Sequence, residues 1–257
     1  MLEKSVKYRR PLNSNQVRIL KILYKFRFVT SDVLAEYLKK NKSTIYESLF
    51  VLQKQGYIAK RYDPSYRIRH RPASYSLANI GIRYLKEHSE LNQATLRNFY
   101  KNKNLSEEQI DSYLHIAALY LLLKRQTGTQ FDICTKYEMG PENAHMPFPI
   151  LFLRDKSPDK PDYFIDYFPA GTFSWLLRRR IRQYQDISDE GNYRAPDVLF
   201  VAGNVSTEKR LFKLTYENYN DFRFLLTQES LLFNSWSGTV WIDVEQTEED
   251  DIIRVGL

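Results

Sequence analysis

Apolar residues recur every three or four positions over the first part of the chain. From Asn13 onward this spacing predicts an amphipathic helix that is capped by Asn13 or Ser14. The letters TSD start a second periodic segment, VLAEYL, and the polar link KKNK leads to Ser43, the predicted N-cap of a third helix. Gly56 follows in the position of a C-cap glycine. The pattern therefore predicts three short, consecutive helices.

Two strand-like segments and a fourth helix come after the third helix. YIAKRY and YSL are short and β-rich, they enclose a basic loop, and ANIGIRYL returns to helical spacing. The inward face of the third helix is predicted to be Ile45, Leu49 and Leu52. This order of elements, together with the phrase LxxLxxxGYI at residues 49–58, resembles the winged helix-turn-helix family.

The resemblance implies that the third helix lies in the major groove of DNA with its N-terminal residues at the base edges. The side chains expected there are those of Lys42, Ser43, Thr44 and Tyr46. A lysine and hydroxyl groups suit phosphates or base edges, and a tyrosine can stack on a base or donate to a phosphate. The alternatives are plain packing of this helix and a winged helix that binds another protein.

Residues 60–75 form the expected wing, which contacts the DNA backbone or the minor groove. The side chains expected to bind there are Lys60, Arg61, Arg67, Arg69, His70 and Arg71. Alternate residues of an extended chain share one face, so Arg67, Arg69 and Arg71 are expected to point to the same side. The expected partner of the third helix and the wing together is double-stranded DNA.

The rest of the chain indicates a second domain of a different class. Residues 91–105 are polar and predict a linker or an exposed helix between a winged helix domain at 1–90 and an α/β domain at 106–257. The strand-like segments of the α/β domain are FDICTKYEM, PILFLRD, DYFIDYF, PDVLFVAG and GTVWIDV. We expect them to form a mixed sheet of about five or six strands.

Helical segments alternate with these strands. The first, at residues 107–125, follows the predicted N-cap Ser106, and its His115 is expected to be a structural residue at the start of a buried face. TFSWLLRRRIRQYQ predicts a basic amphipathic helix, and STEKRLFKLTYENY predicts a helix capped by Ser206 or Thr207.

Several of these segments resemble the replication-relaxation family. They are HIAALYLLLKR, the strand ending in Glu138, the basic helix ending in RQYQ, VLFVAGN and GTVWID. This bacterial family is associated with plasmids and other mobile elements, and it joins a winged helix to a domain similar to the PD-(D/E)-x-K restriction-nuclease fold. The resemblance implies a DNA-binding protein accessory to replication or transfer of such an element, or to its transcriptional control. A replication or relaxation protein, or a second copy of the chain, is the partner it implies.

Nucleases of that fold hold Mg²⁺ with an Asp and a further Asp or Glu, and a Lys two residues on assists the attacking water. Asp166 stands at the carboxylate position that the resemblance implies, but Phe168 occupies that of the lysine. Pro149 and Ile150 stand where the family has its Pro-Asp pair. We therefore expect a degenerate, non-catalytic nuclease-like domain.

The alternative is a Mg²⁺-dependent nicking endonuclease of the same class. Its candidate catalytic residues are Glu138, Asp162 and Asp166, of which Asp162 and Asp166 share a face on a strand. The sequence has no glycine-rich phosphate loop, no Walker lysine pattern and no histidine-based zinc signature. We expect no cofactor and no structural metal.

Charge is distributed unevenly along the chain. Residues 1–90 contain 19 Lys and Arg against 7 Asp and Glu, a net charge of +12, whereas residues 91–257 contain 19 against 24, a net charge of −5. Clustered cations favour a polyanionic partner because binding releases condensed counterions. The alternative is a solvated basic surface, and the acidic segment EQTEEDD is a candidate competitor with DNA for that surface.

A second basic patch is predicted on the helix TFSWLLRRRIRQYQ. It belongs to the cluster Arg178, Arg179, Arg180 and Arg182, in which Arg178 and Arg182 lie on one face of the helix with Arg179 beside them. Three roles are open for it: an extension of the DNA-binding surface, a docking site for an acidic partner, or a solvated face. The residues of this helix expected to pack on the sheet are Trp175, Leu176, Leu177 and Ile181.

The amino-acid composition excludes several classes of protein but does not indicate a function. A hydrophobic fraction of 43% is that of a globular protein. The single cysteine, Cys134, excludes an internal disulfide framework and a cysteine zinc cluster. The longest apolar run, at residues 113–123, is too short to span a bilayer, and no apolar stretch follows MLEKSVKYRR as in a secretory signal. We expect a cytoplasmic protein that does not contact membranes.

Overall fold

The chain forms two compact units, the first up to Ser106 and the second from Glu107 onward. The structure is a computed structural model that describes residues 11–68, 71–139, 150–156, 162–188, 197–217, 223–234, 239–247 and 252–256. Among these residues, no helix is both long enough and apolar enough to cross a membrane.

The first unit joins helices to a small antiparallel sheet. Its elements are α1 (Ser14–Phe26), β1 (Val29–Thr30), α2 (Ser31–Leu38), α3 (Lys42–Lys54), β2 (Ile58–Arg61), α4 (Ser65–Ile68), β3 (Ser74–Leu77), α5 (Asn79–His88), α6 (Gln93–Asn98) and a 3₁₀ helix (Phe99–Asn104). Within the described residues the sheet has the strand order β1-β3-β2, and β2 and β3 form a hairpin after the three helices. This arrangement confirms the predicted winged helix-turn-helix architecture.

Side-chain caps fix where the first two helices begin. Asn13 accepts a hydrogen bond from the backbone N–H of Gln16 at 2.9 Å, and the Gln16 side chain accepts from the backbone N–H of Asn13 at 3.0 Å. This reciprocal pair is a capping box. Thr30 caps α2 by accepting from the N–H of Val33 at 3.2 Å. Both starts agree with the sequence prediction.

The predicted N-cap of α3 was wrong. The helix begins at Lys42, so Ser43 already lies in its first turn, and the N-cap is Asn41. Asn41 has an extended backbone, with φ −70° and ψ 152°, and its carbonyl accepts the first helical hydrogen bond from Ile45 at 3.3 Å. Its side chain accepts from the Thr44 hydroxyl at 2.7 Å. As a consequence, the Ser43 hydroxyl is not needed to cap the helix.

Gly56 ends α3 as predicted. It has φ +77°, its N–H donates to the carbonyl of Gln53, and the N–H of Tyr57 donates to the carbonyl of Leu52, both at 2.9 Å. These two bonds form a Schellman motif, which favours glycine because other residues adopt positive φ at a cost. The motif turns the chain directly from α3 into β2.

Gly81 allows α5 to approach the start of β2 closely. A Cβ at this position would lie 2.2 Å from the carbonyl oxygen of Tyr57, which also accepts a hydrogen bond from the N–H of Ala78 at 2.9 Å. Alanine is normally the better helix former by about 1 kcal/mol. We expect Gly81→Ala to destabilise the first unit by about 2 kcal/mol or more, because α5 has to move away from that carbonyl.

Urea unfolding followed by circular dichroism measures this effect. Arg83→Ala is the matched control because Arg83 is an exposed position of the same helix. The prediction is contradicted if both variants unfold at the same urea concentration as the wild-type protein.

Residues 91–105 belong to the first unit and are helical over most of their length. Leu96 and Phe99 are buried, and the Arg27 guanidinium donates to the Asn102 side chain at 2.7 Å. The predicted linker is therefore not a spacer between the units. Leu96 and Phe99, three residues apart, are enough to pack this helical segment against the core of the first unit.

The second unit is built on a mixed sheet with helices between the strands. Its elements are α7 (Glu107–Thr127), β4 (Phe131–Thr135), a 3₁₀ helix (Lys136–Glu138), β5 (Ile150–Asp155), β6 (Tyr163–Phe168), α8 (Ser174–Ser188), β7 (Asp197–Ala202), α9 (Val205–Tyr216), β8 (Phe224–Gln228), α10 (Glu229–Asn234), β9 (Trp241–Asp243) and β10 (Arg254–Val255). The strand order is β10-β9-β8-β7-β6-β5-β4 in the described residues. β4, β5 and β6 pair antiparallel, β6, β7 and β8 pair parallel, and β9 and β10 close the other edge antiparallel.

Helices cover both faces of this sheet. The core between the sheet and the helices α8 and α9 includes Phe164, Phe168, Val198, Phe200, Leu177, Ile181, Tyr184, Leu211 and Leu214. The opposite face carries Tyr167, whose ring stacks on His115 of α7 with ring centroids 4.5 Å apart. Because successive strand residues alternate between faces, Asp166 lies on the face that carries α8.

Three predictions for the second unit need correction. The strand FDICTKYEM ends at Thr135, since Thr135 and Glu138 form a capping box that starts a 3₁₀ helix. Helix α9 is capped by Asn204, which accepts from the N–H of Thr207 at 2.8 Å, and not by Ser206 or Thr207. The sheet has seven strands in the described residues, where about five or six were expected: β8 was not among the predicted strands, and a further strand lies beyond the predicted last one.

That further strand, β10, follows the acidic segment. Arg254 of β10 donates to the carbonyl of Val240 at 2.7 Å and contacts the Glu208 carboxylate at 3.3 Å. The residues of β10 are thus tied into the sheet. Of the segment EQTEEDD, residues 248–251 lie outside the described residues.

Candidate nucleic-acid interface

Helix α3 has one face in the core and one face in solvent. Ile45, Leu49 and Leu52 are buried, as predicted from the sequence. The exposed row follows the spacing i, i+4, i+7 and i+11, and consists of Ser43, Glu47, Phe50 and Lys54. The first turn of the helix contains no acidic residue, so its N-terminal partial positive charge is open to an anion.

Lys42 lies in that first turn and is exposed. Its ammonium group is 2.9 Å from the carboxylate of Asp32 on α2. The hydrogen bond and the charge of Asp32 raise the pKa of Lys42 above its usual range. The lysine remains cationic at neutral pH, and a phosphate would compete with Asp32 for it.

Tyr46 occupies the flank of the exposed face, with half of its surface in solvent. Its hydroxyl oxygen accepts a hydrogen bond from the buried Ser31 hydroxyl at 3.0 Å. Accepting this bond leaves the Tyr46 hydroxyl proton oriented for donation elsewhere. The bond also fixes the position of the tyrosine ring relative to α2.

We expect Tyr46→Phe to weaken duplex binding about fivefold, because one hydrogen bond to a phosphate is lost. The same change costs about 1 kcal/mol of folding stability, since the buried Ser31 donor loses its acceptor. Ser31→Ala is the matched control: it removes the same intramolecular bond but keeps the tyrosine hydroxyl. The measurement is fluorescence anisotropy on labelled duplex DNA. If Ser31→Ala and Tyr46→Phe lose affinity equally, Tyr46 does not contact a phosphate.

Phe50 was not singled out from the sequence. It lies at the centre of the exposed row of α3 with 67% of its surface in solvent. A phenylalanine in the major groove can contact the methyl group of thymine. Helical spacing alone could have identified it, because Phe50 is opposite the inward residues Ile45, Leu49 and Leu52.

The wing differs from the extended loop that was predicted. The segment Ser65–Ile68 is a short helix, α4, because the buried Tyr66 anchors it to the domain. Arg67 is exposed on this helix, and the Arg71 guanidinium stacks over the Tyr66 ring at 4.7 Å. Arg67 and Arg71 therefore do not share a face of an extended chain. Arg69 and His70 lie outside the described residues.

The two basic residues of β2 have different surroundings. Lys60 is exposed, and its ammonium group lies 5.4 Å from the centre of the Tyr62 ring. Arg61 is partly buried and donates to the carbonyl of Leu105 at 2.9 Å. Arg61 thus holds the end of the first unit against the hairpin, whereas Lys60 is presented to solvent beside α4.

Asp166 is completely buried in the second unit. Its carboxylate forms an ion pair with the Arg180 guanidinium at 3.0 Å and accepts hydrogen bonds from the backbone N–H of Tyr167 at 2.9 Å and from the Tyr184 hydroxyl at 3.4 Å. Burial raises the pKa of Asp166, while Arg180 and the other two donors oppose this rise. Its strand register pairs it with Ile150, so no second carboxylate faces it from β5.

The other two candidate carboxylates are engaged elsewhere. Glu138 accepts from the backbone N–H of Thr135 at 2.9 Å, and Asp162, before the start of β6, is 3.9 Å from the Arg154 guanidinium. Burial and the charge of Arg180 lower the pKa of Lys136 to about 8. Among the described residues, no group of three or more acidic, histidine or cysteine side chains could hold a metal ion.

His115 is satisfied by neighbours, as expected for a structural residue. Its ring stacks on Tyr167, and its Nδ1 lies 3.4 Å from the Glu229 carboxylate. The Tyr167 hydroxyl donates to the same carboxylate at 3.0 Å. The hydrogen bond with His115 lowers the pKa of Glu229, so this glutamate remains ionised at neutral pH.

The predicted second basic patch is exposed on α8. Arg178, Arg179 and Arg182 are all in solvent, while Arg180 points inward to Asp166. Leu177 and Ile181 pack on the sheet as predicted, but the prediction for Trp175 was wrong, since 61% of its surface is exposed. The physical reason is helical geometry: Trp175 shares a face with Arg178, Arg179 and Arg182.

Comparison with solved structures returned proteins similar to the first part of the chain. A ZitR variant from Lactococcus lactis in complex with DNA is 22% identical, over 49% of this chain and 82% of that one, with a TM-score of 0.28. A MarR variant from E. coli complexed with operator DNA is 18% identical, over 44% and 74%, with a TM-score of 0.28. YusO from Bacillus subtilis is 20% identical, over 42% and 74%, with a TM-score of 0.27.

Similarities at this TM-score carry no argument about the fold or the function. No protein-family model and no curated protein sequence matches the chain. The winged helix assignment therefore depends on the element order, the strand pairing and the burial pattern of the first unit.

Proposed function

We propose that this protein binds double-stranded DNA through its first unit, with α3 in the major groove and the β2–β3 hairpin against the sugar-phosphate backbone. The observation that carries the proposal is the exposed face of α3. Its buried face is fixed in the core by Ile45, Leu49 and Leu52, while its first turn presents Lys42 and Ser43 without an acidic residue. A rigidly held helix of this kind can place side chains at base edges.

The second unit serves in this proposal as a non-catalytic, nuclease-like scaffold. The run of three antiparallel strands followed by parallel strands with helical crossovers supports a mixed-sheet fold of the restriction-nuclease class. The buried pair of Asp166 and Arg180 supports a structural role, because a carboxylate that neutralises an arginine is not free to hold Mg²⁺. The scaffold contacts a second copy of the chain or a replication or relaxation protein.

The biological role proposed is the one implied by the replication-relaxation resemblance. The protein acts at a plasmid or another mobile element, either in its replication or transfer or in its transcriptional control. Incubation of supercoiled plasmid with the protein and Mg²⁺ or Mn²⁺ tests the non-catalytic part. We expect no nicking; nicking that disappears in Asp162→Ala would favour the endonuclease alternative instead.

A salt titration of duplex affinity tests the wing. Lys60→Ala combined with Arg67→Ala removes two exposed cations and is expected to weaken binding to all duplex sequences alike. The slope of log affinity against log salt should become shallower by about 1.8, since each phosphate contact contributes about 0.9. Arg83→Ala is the control for loss of an exposed cation outside the wing. An unchanged slope in the double variant would reject the wing as a DNA contact.

A further inference from the structure

The exposed face of the α8–α9 layer is basic although the second unit as a whole is acidic. From Glu107 onward the chain has 16 Lys and Arg against 24 Asp and Glu, yet α8 and α9 together have seven against two. Of those two acids, Glu208 is buried and paired with Arg254. The positive charge is thus concentrated on one side of an otherwise negative unit.

Packing places these cations on one surface. Leu177 and Ile181 of α8 and Leu211 and Leu214 of α9 fill the same core, so both helices lie on the same face of the sheet. Their exposed cations are Arg178, Arg179, Arg182, Lys209 and Lys213. We call these five residues, together with Trp175, the α8–α9 face.

Two aromatic rings accompany the cations at the start of α8. Phe173 has 68% of its surface exposed and Trp175 has 61%. Trp175 lies on the same helical face as Arg178, Arg179 and Arg182, at spacings of three, four and seven residues. Exposed apolar side chains that lie next to one another often mark a binding site.

Cations next to exposed aromatic rings match the chemistry of an unpaired nucleic-acid strand. Its phosphates pair with arginine and lysine, and its bases stack on aromatic rings. A duplex offers phosphates, but its base faces are covered by the neighbouring base pairs. No base of a duplex could therefore stack on the Trp175 ring. An acidic protein segment would pair with the cations, but its carboxylates have no planar rings to stack on Trp175 and Phe173.

Two of these arginines line the same groove. Arg178 and Arg182 line a groove of about 290 Å³ between α8 and the end of α9, together with Gln185 and Glu217. Arginine pairs with phosphate through two parallel hydrogen bonds, and Gln185 adds an amide donor. Trp175 lies one helical turn from Arg178, which is the reach of one nucleotide along the helix.

We infer that the α8–α9 face binds single-stranded nucleic acid, with the bases stacked on Trp175 and Phe173 and the backbone held by the arginines. This activity is separate from duplex binding by α3 and does not depend on it. The duplex site lies in the first unit and the single-strand site in the second, so the two activities can be tested separately.

Anisotropy measurements on the full-length chain test the inference. The probes are labelled oligo(dT) and oligo(U) of about 20 nucleotides, a length that covers several stacking positions. Trp175→Ala should weaken binding to the single strand about tenfold or more, and Trp175→Phe should retain most of the affinity because it keeps an aromatic ring. Preference for oligo(dT) or for oligo(U) distinguishes DNA from RNA, and either result supports the inference.

The arginine contribution is read from the salt dependence. Arg178→Ala combined with Arg182→Ala should reduce the slope for the single strand by about 1.4, since each contact contributes about 0.7. Lys124→Ala, an exposed cation of α7, is the matched control and should leave the slope unchanged. The chain has three tryptophans, so quenching of intrinsic fluorescence by oligo(dT) should fall sharply in Trp175→Phe.

Separate controls keep this inference distinct from the proposed duplex binding. Ser43→Glu, in α3, should lower the affinity for duplex DNA and leave the affinity for the single strand unchanged. Trp175→Ala should lower the affinity for the single strand and leave the affinity for duplex DNA unchanged. Equal affinity of the wild-type protein and Trp175→Ala for oligo(dT) overturns the inference. So does a Trp175→Ala variant that changes only the sedimentation coefficient, because that result would assign the α8–α9 face to self-association.

Discussion

Ser43→Glu will lower the affinity for duplex DNA by about 2 kcal/mol or more, which is roughly thirtyfold in Kd. Ser43 is exposed in the first turn of α3 and is not the helix cap, so the glutamate would point toward the DNA phosphates or base edges. A carboxylate facing phosphates is repelled, and in a desolvated interface such a contact costs several kcal/mol. The measurement is anisotropy on labelled duplex at low and moderate salt.

The same substitution leaves the fold intact, which makes the binding result unambiguous. A negative charge in the first helical turn stabilises a helix by about 0.3–1 kcal/mol through its favourable interaction with the helix dipole. Ser43→Glu should therefore unfold at the same or a slightly higher temperature than the wild-type protein. Ser43→Gln is the matched control because it has the same length without the charge. If Ser43→Glu and Ser43→Gln bind duplex equally well, α3 does not face the DNA.

Elements of the first unit were predictable from local patterns. Asn13 and Thr30 cap their helices, and Gly56 ends α3, because each of these signals acts within a few residues of the helix end. The inward face of α3 followed from periodicity alone. What local pattern could not show was the helix within the wing, since the letters around Tyr66 do not reveal that its side chain is buried and anchors that helix.

The second unit shows the limit of sequence reasoning more clearly. Asp166 was correctly placed on a strand, but its partner Arg180 is fourteen residues away on α8 and was grouped with the exposed arginines around it. Neighbouring arginines on a helix look alike in sequence, and only the packing of α8 decides which one turns inward. Strand β10 was also missed. It has only two residues, and it is separated from its partner β9 by an acidic segment that we interpreted as a tail.

Asp166→Ala will destabilise the second unit by about 3–5 kcal/mol, because it leaves the Arg180 charge buried without its counterion. Asp166 is fully buried, and the Arg180 side chain is 13% exposed. Replacing both residues, as Asp166→Leu with Arg180→Met, removes the uncompensated charge and should recover most of the lost stability. Chemical unfolding of the two single variants and the double variant forms the thermodynamic cycle that measures the coupling.

The sign of the Asp166→Ala effect separates a structural ion pair from a metal site. Burial raises the pKa of Asp166, and the charge of Arg180 opposes this rise, so Arg180 stabilises the ionised carboxylate inside the unit. In a metal site, by contrast, clustered carboxylates repel one another when Mg²⁺ is absent. Asp166→Ala would then stabilise the metal-free protein because it removes one of the repelling charges. A stabilising Asp166→Ala would thus reject the structural pair and return Asp166 to the list of metal ligands.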